Sequence, residues 1–419
     1  PNPNPNPNPN PNPNPNPNPN PNPNPNPNAN ANPTPRSARS CMRHGLLLLS
    51  LSRSLGPARS LATATATMYH AVVYDRRAPE GVVVVEKNVP KAVRRGHVLV
   101  RVKACGVNPV DAKYCVGDKL PEALPEGFRR WTVQGGGVGF DLAGVVEALP
   151  PSAGEACDGF RVGDAVFGSM PPLKASFAEL AEVPTHQLAA MPEGLSFPEA
   201  AALPLVGTTA MQALRHRHGL SEGQRVLIIG ASGGVGSVAV QVAKDLVGAG
   251  GHVAAVCSAR NHEMVKGLGA DAAYDYTQGL DKLMEELSER YREAPLDLVL
   301  DCVSSLEAKD RVFDYNARVH AAGILKREPN TSGSRSNYIV IGGGFGDWFR
   351  ALMFRTAGIN CFGGSHELFW IVFPHSRPVL DELKAAVERG ALRAFIEEVP
   401  VDGFAAVEPV REAFRRLHG

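Results

Sequence analysis

The stretch Arg225-Val-Leu-Ile-Ile-Gly-Ala-Ser-Gly-Gly-Val-Gly236 decides the fold. Its first five residues read as a buried strand. Beyond it, Val235, Val238, Ala239, Val242 and Leu246 share one face of a helix expected over Val235 to Leu246. Between the two lies a glycine-rich turn. Without side chains the backbone can approach a pyrophosphate, and the free N–H groups at the helix start can bind its charge. A merely tight turn is the plain alternative, but the strand before and the helix after are the context such a phosphate site requires. Ser232, Gly233, Gly234, Val235 and Gly236 are the expected contacts.

Working outward toward the C-terminus, His252 to Cys257 reads as the next strand. Asn261 to Leu268 and Leu280 to Arg290 read as helices, and Leu296 to Leu300 and Tyr338 to Ile341 as strands. This alternation predicts a doubly wound parallel sheet, an α/β Rossmann domain. An NAD site places Asp or Glu about 20 residues past the glycines to accept from the ribose 2′-hydroxyl. Here the second strand ends in Val256-Cys-Ser-Ala-Arg-Asn261 instead. Ser258 can donate a hydrogen bond and Arg260 a charged one, which favours NADPH. An ordinary solvated arginine is the alternative for Arg260. Two more helices are expected over Pro378 to Arg389 and Val407 to Leu417.

Toward the N-terminus the rhythm is that of a β-rich domain. Val82 to Val85 is β-branched, and His97 to Lys103 alternates with Val98, Val100 and Val102 on one face. Leu142 to Val146 and Val162 to Phe167 are further short apolar runs. Glycine and proline punctuate them. The expected organisation is 68–195 for this domain, 196–371 for the Rossmann domain, and 372–419 returning to the first.

The seven cysteines (Cys41, Cys105, Cys115, Cys157, Cys257, Cys302, Cys361) are odd in number and never two residues apart. That gives no disulfide framework and no zinc knuckle. His186, His216, His218 and His366 are scattered and read as ordinary histidines. Net charge over the chain is +1, but the five arginines and no acids before Asp75 leave −4 for the rest. A mildly acidic body argues against a nucleic-acid groove. No apolar run reaches the length of a membrane helix.

Sixteen of the 36 prolines precede residue 36, most of them in a strict Pro-Asn alternation. Such a tract has nothing apolar to bury, so residues 1–41 are expected to be disordered. A six-base DNA repeat of telomere type would encode the tract, so translation from Met42 is also an expectation. From Met42 to Thr67 the chain carries arginines, serines and leucines and no acid, the composition of an organelle transit peptide. Mitochondrial targeting is the first reading, plastid or cytoplasmic the alternatives.

Several segments together resemble the medium-chain dehydrogenase/reductase superfamily. They are His97-Val-Leu-Val-Arg-Val-Lys-Ala-Cys-Gly-Val-Asn-Pro-Val-Asp111, Gly139-Phe-Asp-Leu-Ala-Gly-Val-Val-Glu147, Gly163-Asp-Ala-Val-Phe167, Ala200 to Ala210, Ala231 to Gly236, and Leu268-Gly-Ala-Asp271. The resemblance implies a GroES-like domain carrying the substrate cleft beside the Rossmann domain. Zinc alcohol dehydrogenases place ligands where this chain has Asn108, Pro109 and Phe140, so the resemblance is to the zinc-independent quinone oxidoreductase branch, of the plastid-envelope quinone oxidoreductase and alkenal reductase type. It implies no metal site. Asn108 then lies near the nicotinamide, and Lys113 in the cleft. Thr209 joins the cofactor contacts, Tyr276 stands beside the 2′-phosphate, and Gly342 and Gly343 meet the nicotinamide. Asn261 replaces a lysine common at that position, which moves the phosphate role to Arg260. Asn108-Pro109 is also a good turn dipeptide and Lys113 a plausible solvated lysine.

The implied activity is NADPH-dependent reduction of a quinone or an α,β-unsaturated carbonyl. An enoyl-thioester reductase is the first alternative, although the proton-donating tyrosine of those enzymes is Lys119 here. A non-catalytic NADPH-binding sensor or assembly protein is the second. A homodimer is left open. The chain stops at Gly419, where relatives run on into a final strand, which is expected to leave a sheet edge less covered.

Overall fold

Leu46–Leu51 forms strand β1, inside the stretch that reads as a leader. A computed structural model describes residues 46–51, 67–75, 77–115, 134–154, 157–304, 315–326, 337–341, 367–369, 376–401 and 403–418. For 46–51, 113–115, 367–369, 398–401 and 418 it describes the backbone alone. Strands β2 (Met68–Tyr74) and β3 (Val82–Asn88) make an antiparallel hairpin. Next come β4 (His97–Val107), helix α1 (Pro109–Cys115), β5 (Asp141–Ala148), β6 (Ala165–Ser169), β7 (Leu180–Pro184) and β8 (Leu188–Ala190). Val98, Val100 and Val102 are buried in one cluster with Leu142, Val146, Val166 and Phe177. Each valine so buried is worth about 1.5–3 kcal/mol over exposure, which fixes the register of β4.

Strand β6 begins later than the sequence suggests. Arg161 to Asp164 is a turn closed by the Asp164 N–H on the Arg161 carbonyl at 3.2 Å and the Arg161 N–H on Asp164 Oδ2 at 2.8 Å. Val162 is consequently 49% exposed.

Two short helices lead into the second sheet. Helix α2 (Phe197–Ala201) starts with a capping box between Ser196 and Glu199, and α3 (Pro204–Met211) follows with proline in its first turn. Then β9 (Arg225–Ile229), α4 (Gly234–Val247), β10 (His252–Cys257), α5 (His262–Gly267), β11 (Ala272–Asp275), α6 (Leu280–Tyr291), β12 (Leu298–Asp301), α7 (Tyr315–Ala322), β13 (Tyr338–Ile341) and β14 (Glu367–Phe369) alternate. The strand order is β11-β10-β9-β12-β13-β14, all parallel. Val226 and Ile228 of β9 pack with Val238, Ala239 and Val242 of α4, while Leu227 and Ile229 pack with Leu283, Leu287 and Tyr291 of α6. A sheet covered on both faces has to read as continuous apolar runs, as these strands do.

The helix expected over Asn261 to Leu268 is α5, His262–Gly267, and a 3-10 turn, Ala259–Asn261, precedes it, with the Asn261 amide donating to Ser258 Oγ at 3.2 Å. His218 is fully buried, so it does not share the surface character of its neighbours. Burial lowers its pKa to about 4 and keeps it neutral.

Helices α8 (Arg377–Glu388) and α9 (Glu408–His418) flank β15 (Ile396–Val401). Strand β15 rejoins the first sheet, whose order is β15-β1-β4-β5-β6-β8 with β7 also on β4. Strand β1 thus sits between a parallel neighbour, β15, and an antiparallel one, β4. Phe404 and Phe414 pack on Phe177, the Phe177 and Phe404 rings stacked at 6.2 Å. Among the described residues no helix is long and apolar enough to cross a membrane.

Candidate active site

Three neighbouring strands, β9, β10 and β11, deliver most of the expected cofactor residues to one crest of the second sheet. The turn after β9 holds Gly230 to Gly233, and α4 begins at Gly234 with no side-chain cap on its N-terminus. The N–H groups of its first turn are therefore left for an anion. Gly230 has φ +76°, and a Cβ at Gly236 would lie 2.1 Å from the Gly230 carbonyl oxygen. Only glycine fits there. Glycine at 236 therefore lets the helix start sit directly on the strand end, as a pyrophosphate seat requires.

The turn after β10 presents Ser258, half-buried, and Arg260, exposed. Asn261 is buried and spends its amide on Ser258, so it supports the turn from within. Tyr276 follows β11 and is partly buried against the α6 side of the sheet. Asp275, just before it, accepts from the Ala259 N–H at 3.2 Å and the Thr277 N–H at 2.9 Å. This carboxylate beside the Ser258–Arg260 turn is absent from the sequence reading, because it arrives from the third strand and not the second. Hydrogen bonds keep it ionised, with a pKa below its ordinary value despite some burial cost. Val303 after β12 packs against Gly230, and the buried Asp301 accepts from the Val303 and Ser304 N–H groups, both at 2.9 Å, and from the Tyr338 hydroxyl at 2.7 Å. Gly342 and Gly343 lie outside the described residues.

On the acceptor side, Asn108 follows β4 and is 4% exposed. Its Nδ2 donates to Asp141 Oδ2 at 3.0 Å. Its backbone N–H donates to Asp111 Oδ2 at 2.7 Å, and its side chain also reaches Asp111. Asp141 Oδ1 accepts from Ser169 Oγ at 2.6 Å and from the Leu205 N–H of α3 at 3.0 Å. Tyr74 donates its hydroxyl to the Asp111 carbonyl at 3.0 Å. Gly139, at φ +94° with Phe177 and Ser176 where a Cβ would stand, turns the chain so that Asp141 heads β5 inside the core.

Burial raises the Asp141 pKa to about 7, against the lowering pull of Ser169, Asn108 and Leu205. Burial also holds Asp111 well above the usual carboxylate range, and the nearby Asp141 charge adds to that. Asp111, Asp141 and Ser169 are site residues the sequence reading did not single out. The signal was a carboxylate heading an otherwise apolar strand. Lys113 lies on α1, and its side chain is outside the described residues. Thr209 sits half-buried on α3 with its hydroxyl donating to the Leu205 carbonyl at 2.7 Å. Asn108 and α3 are thus joined through one carboxylate. Among the described residues no three His, Cys, Asp or Glu side chains form a metal-holding group.

Two family profiles match this architecture: "Alcohol dehydrogenase GroES-like domain" over residues 94–193 and "Zinc-binding dehydrogenase" over 234–342. The Arabidopsis thaliana NADPH-dependent alkenal/one oxidoreductase, chloroplastic, is 33% identical over 66% of this chain and 68% of its own. The Danio rerio NAD(P)H oxidoreductase RTN4IP1, mitochondrial, is 29% identical over 85% of this chain and 90% of its own. The solved quinone oxidoreductase of Coxiella burnetii is 25% identical, with a TM-score of 0.55, over 78% of this chain and 89% of that one. With the GroES-like sheet, the parallel sheet and its glycine crest in place, the chain belongs to the medium-chain dehydrogenase/reductase superfamily of oxidoreductases.

Proposed function

We propose that the chain is an NADPH-dependent, zinc-independent reductase of α,β-unsaturated carbonyls or quinones. The observation that carries this reading is the crest. An uncapped helix start lies over a glycine turn, with Ser258 and Arg260 on the next strand and no carboxylate ending that strand. The alkenal/one and quinone activities in the relatives' names support the acceptor class. Asn108 and Phe140 stand where a zinc site would need Cys and His, and neither can complete a tetrahedral set.

NADPH, when bound, supplies the hydride. The chain's part is to bind, orient and polarise. First-turn N–H groups of α4 hold the pyrophosphate, and Arg260 with Ser258 holds the 2′-phosphate. Asn108 presents a carboxamide at the nicotinamide end, and Lys113 donates to the acceptor's carbonyl oxygen as charge develops there. The mitochondrial relative supports a mitochondrial site of action.

The test is NADPH oxidation by metal-free protein against enones, quinones and enoyl thioesters. Turnover of enones or quinones well above thioesters is expected, with chelators having no effect. Preference for a thioester would replace the acceptor class. Tight NADPH binding without turnover of any acceptor would replace the enzyme by a sensor, and activity lost to chelation would restore a metal.

A further inference from the structure

We propose that Asp141 is a positioning residue that fixes the Asn108 carboxamide and ties it to the helix carrying Thr209. The proposal rests on the reading of Asn108 as a cofactor-side group. Asp141 is 1% exposed and collects three donors from three elements: Asn108 Nδ2 after β4, Ser169 Oγ at the end of β6, and the Leu205 N–H in the first turn of α3. In its ionised form, which prevails above about pH 7, the Asp141 carboxylate can only accept, so it selects one of the two orientations of the Asn108 amide. The NH2 group must face Asp141, and Asp111 engages the same residue from α1. The Asn108 Oδ1 is then the atom left to accept from a ligand. In Asp141→Asn the Ser169 hydroxyl and the Leu205 N–H keep the new amide oxygen, so its NH2 group faces Asn108 and favours the inverted amide.

The second half of the proposal concerns α3. Leu205 binds Asp141 through its N–H and takes the Thr209 hydroxyl on its carbonyl. Helix α3 packs on α4, the helix that begins at the glycine turn. Asp141 therefore sets the Asn108 amide in a fixed relation to the cofactor side of the molecule, through hydrogen bonds and not through bulk.

A double-mutant cycle with Asp141→Asn and Asn108→Ala tests this, read as kcat on an enone with saturating NADPH. Asp141→Asn in the parent chain is expected to lower kcat about 10- to 100-fold, the loss of one hydrogen bond to a charged group. The acceptor KM should move less than about twofold. In the Asn108→Ala background the same change should cost under about twofold, because the group it orients is gone. Equal losses in both backgrounds would mean that Asp141 serves the fold alone, and the proposal is overturned. If Asn108→Ala runs at the parent rate, the reading of Asn108 fails and the positioning role with it. The silent variant tells the two failures apart.

Should Asp141→Asn not fold, Ser169→Ala runs the same cycle. It removes one of the three donors and keeps the carboxylate. A loss of about threefold or more in kcat that vanishes in the Asn108→Ala background supports the proposal. A loss that persists there, or no loss in the parent, overturns it.

Discussion

The two candidate regions are built from different parts of the chain. On the crest of the parallel sheet the proposed cofactor seat is mostly backbone: a glycine turn and an uncapped helix, with exposed or half-buried side chains such as Arg260 and Ser258 beside them. The proposed acceptor side is made of buried side chains, with Asn108, Asp111, Asp141 and Ser169 all under 5% exposed. The first kind of site fails when atoms are added. The second fails when charge or a hydrogen bond is removed, since an unpaired buried polar group bears its full desolvation cost.

That contrast can be broken most sharply at Gly236. A valine there would drive its Cβ into the Gly230 carbonyl, and NADPH affinity should fall by about 10²-fold or more, roughly 3 kcal/mol, as read by fluorescence titration. Binding that stays near the parent value would remove the crest as the cofactor seat. Lys113→Ala comes next. By analogy with loss of one oxyanion donor, kcat for enones should fall about 10²-fold, quinones should suffer less because their product is aromatic, and NADPH affinity should hold. Full activity on both acceptors would leave the acceptor side to Asn108 alone.

Arg260→Ala should weaken NADPH by ~1.5–3 kcal/mol and leave NADH nearly unchanged. Equal losses for both nucleotides in calorimetry would make Arg260 an ordinary surface residue. A separate effect, read against pH, is on stability. Asp141, raised from 3.8 to about 7, keeps in the folded chain a proton that the unfolded chain has already lost. Its contribution is therefore fully present below pH 4 and is lost as pH rises to 7. The slope is at most about 1.4 kcal/mol per pH unit. Asp111 shifts in the same sense, whereas the buried Cys105 thiol is raised and titrates only in alkali. Urea unfolding of Asp141→Asn at pH 5, 6 and 7 should show a shallower fall than the parent. Parallel curves would place the titration elsewhere.

What the sequence disclosed follows the same divide. The parallel strands were readable because both their faces are buried, and the glycine turn because strand, turn and helix are contiguous from Arg225 to Val247. The expected NADPH contacts at 232–236, 258, 260, 261 and 276 follow adjacent strands for the same reason. Beyond one carboxylate heading an apolar strand, the Asp141 cluster was not readable. Its partners lie 28 to 64 residues away, and no local period marks a carboxylate that will face inward. Asp275 escaped notice because strand adjacency, not chain distance, brings it to Ala259. Leu46 to Leu51 shows the limit from the other direction. Its composition suits a leader, but its neighbours in the sheet come from residues 104–107 and 396–401.

That last pairing has a consequence for how the protein is made. Leu46 is among the first described residues to leave the ribosome, and its partner Ile396 among the last. The parallel sheet spans only 225–369 and can assemble while synthesis continues. The first sheet must hold the outer edge of β1 open until β15 has emerged, and an open edge is where nascent chains aggregate. Translation stalled so that residues up to 369 but not 396–401 have left the ribosome should therefore give chains with a protease-resistant second sheet and a chaperone-bound first one.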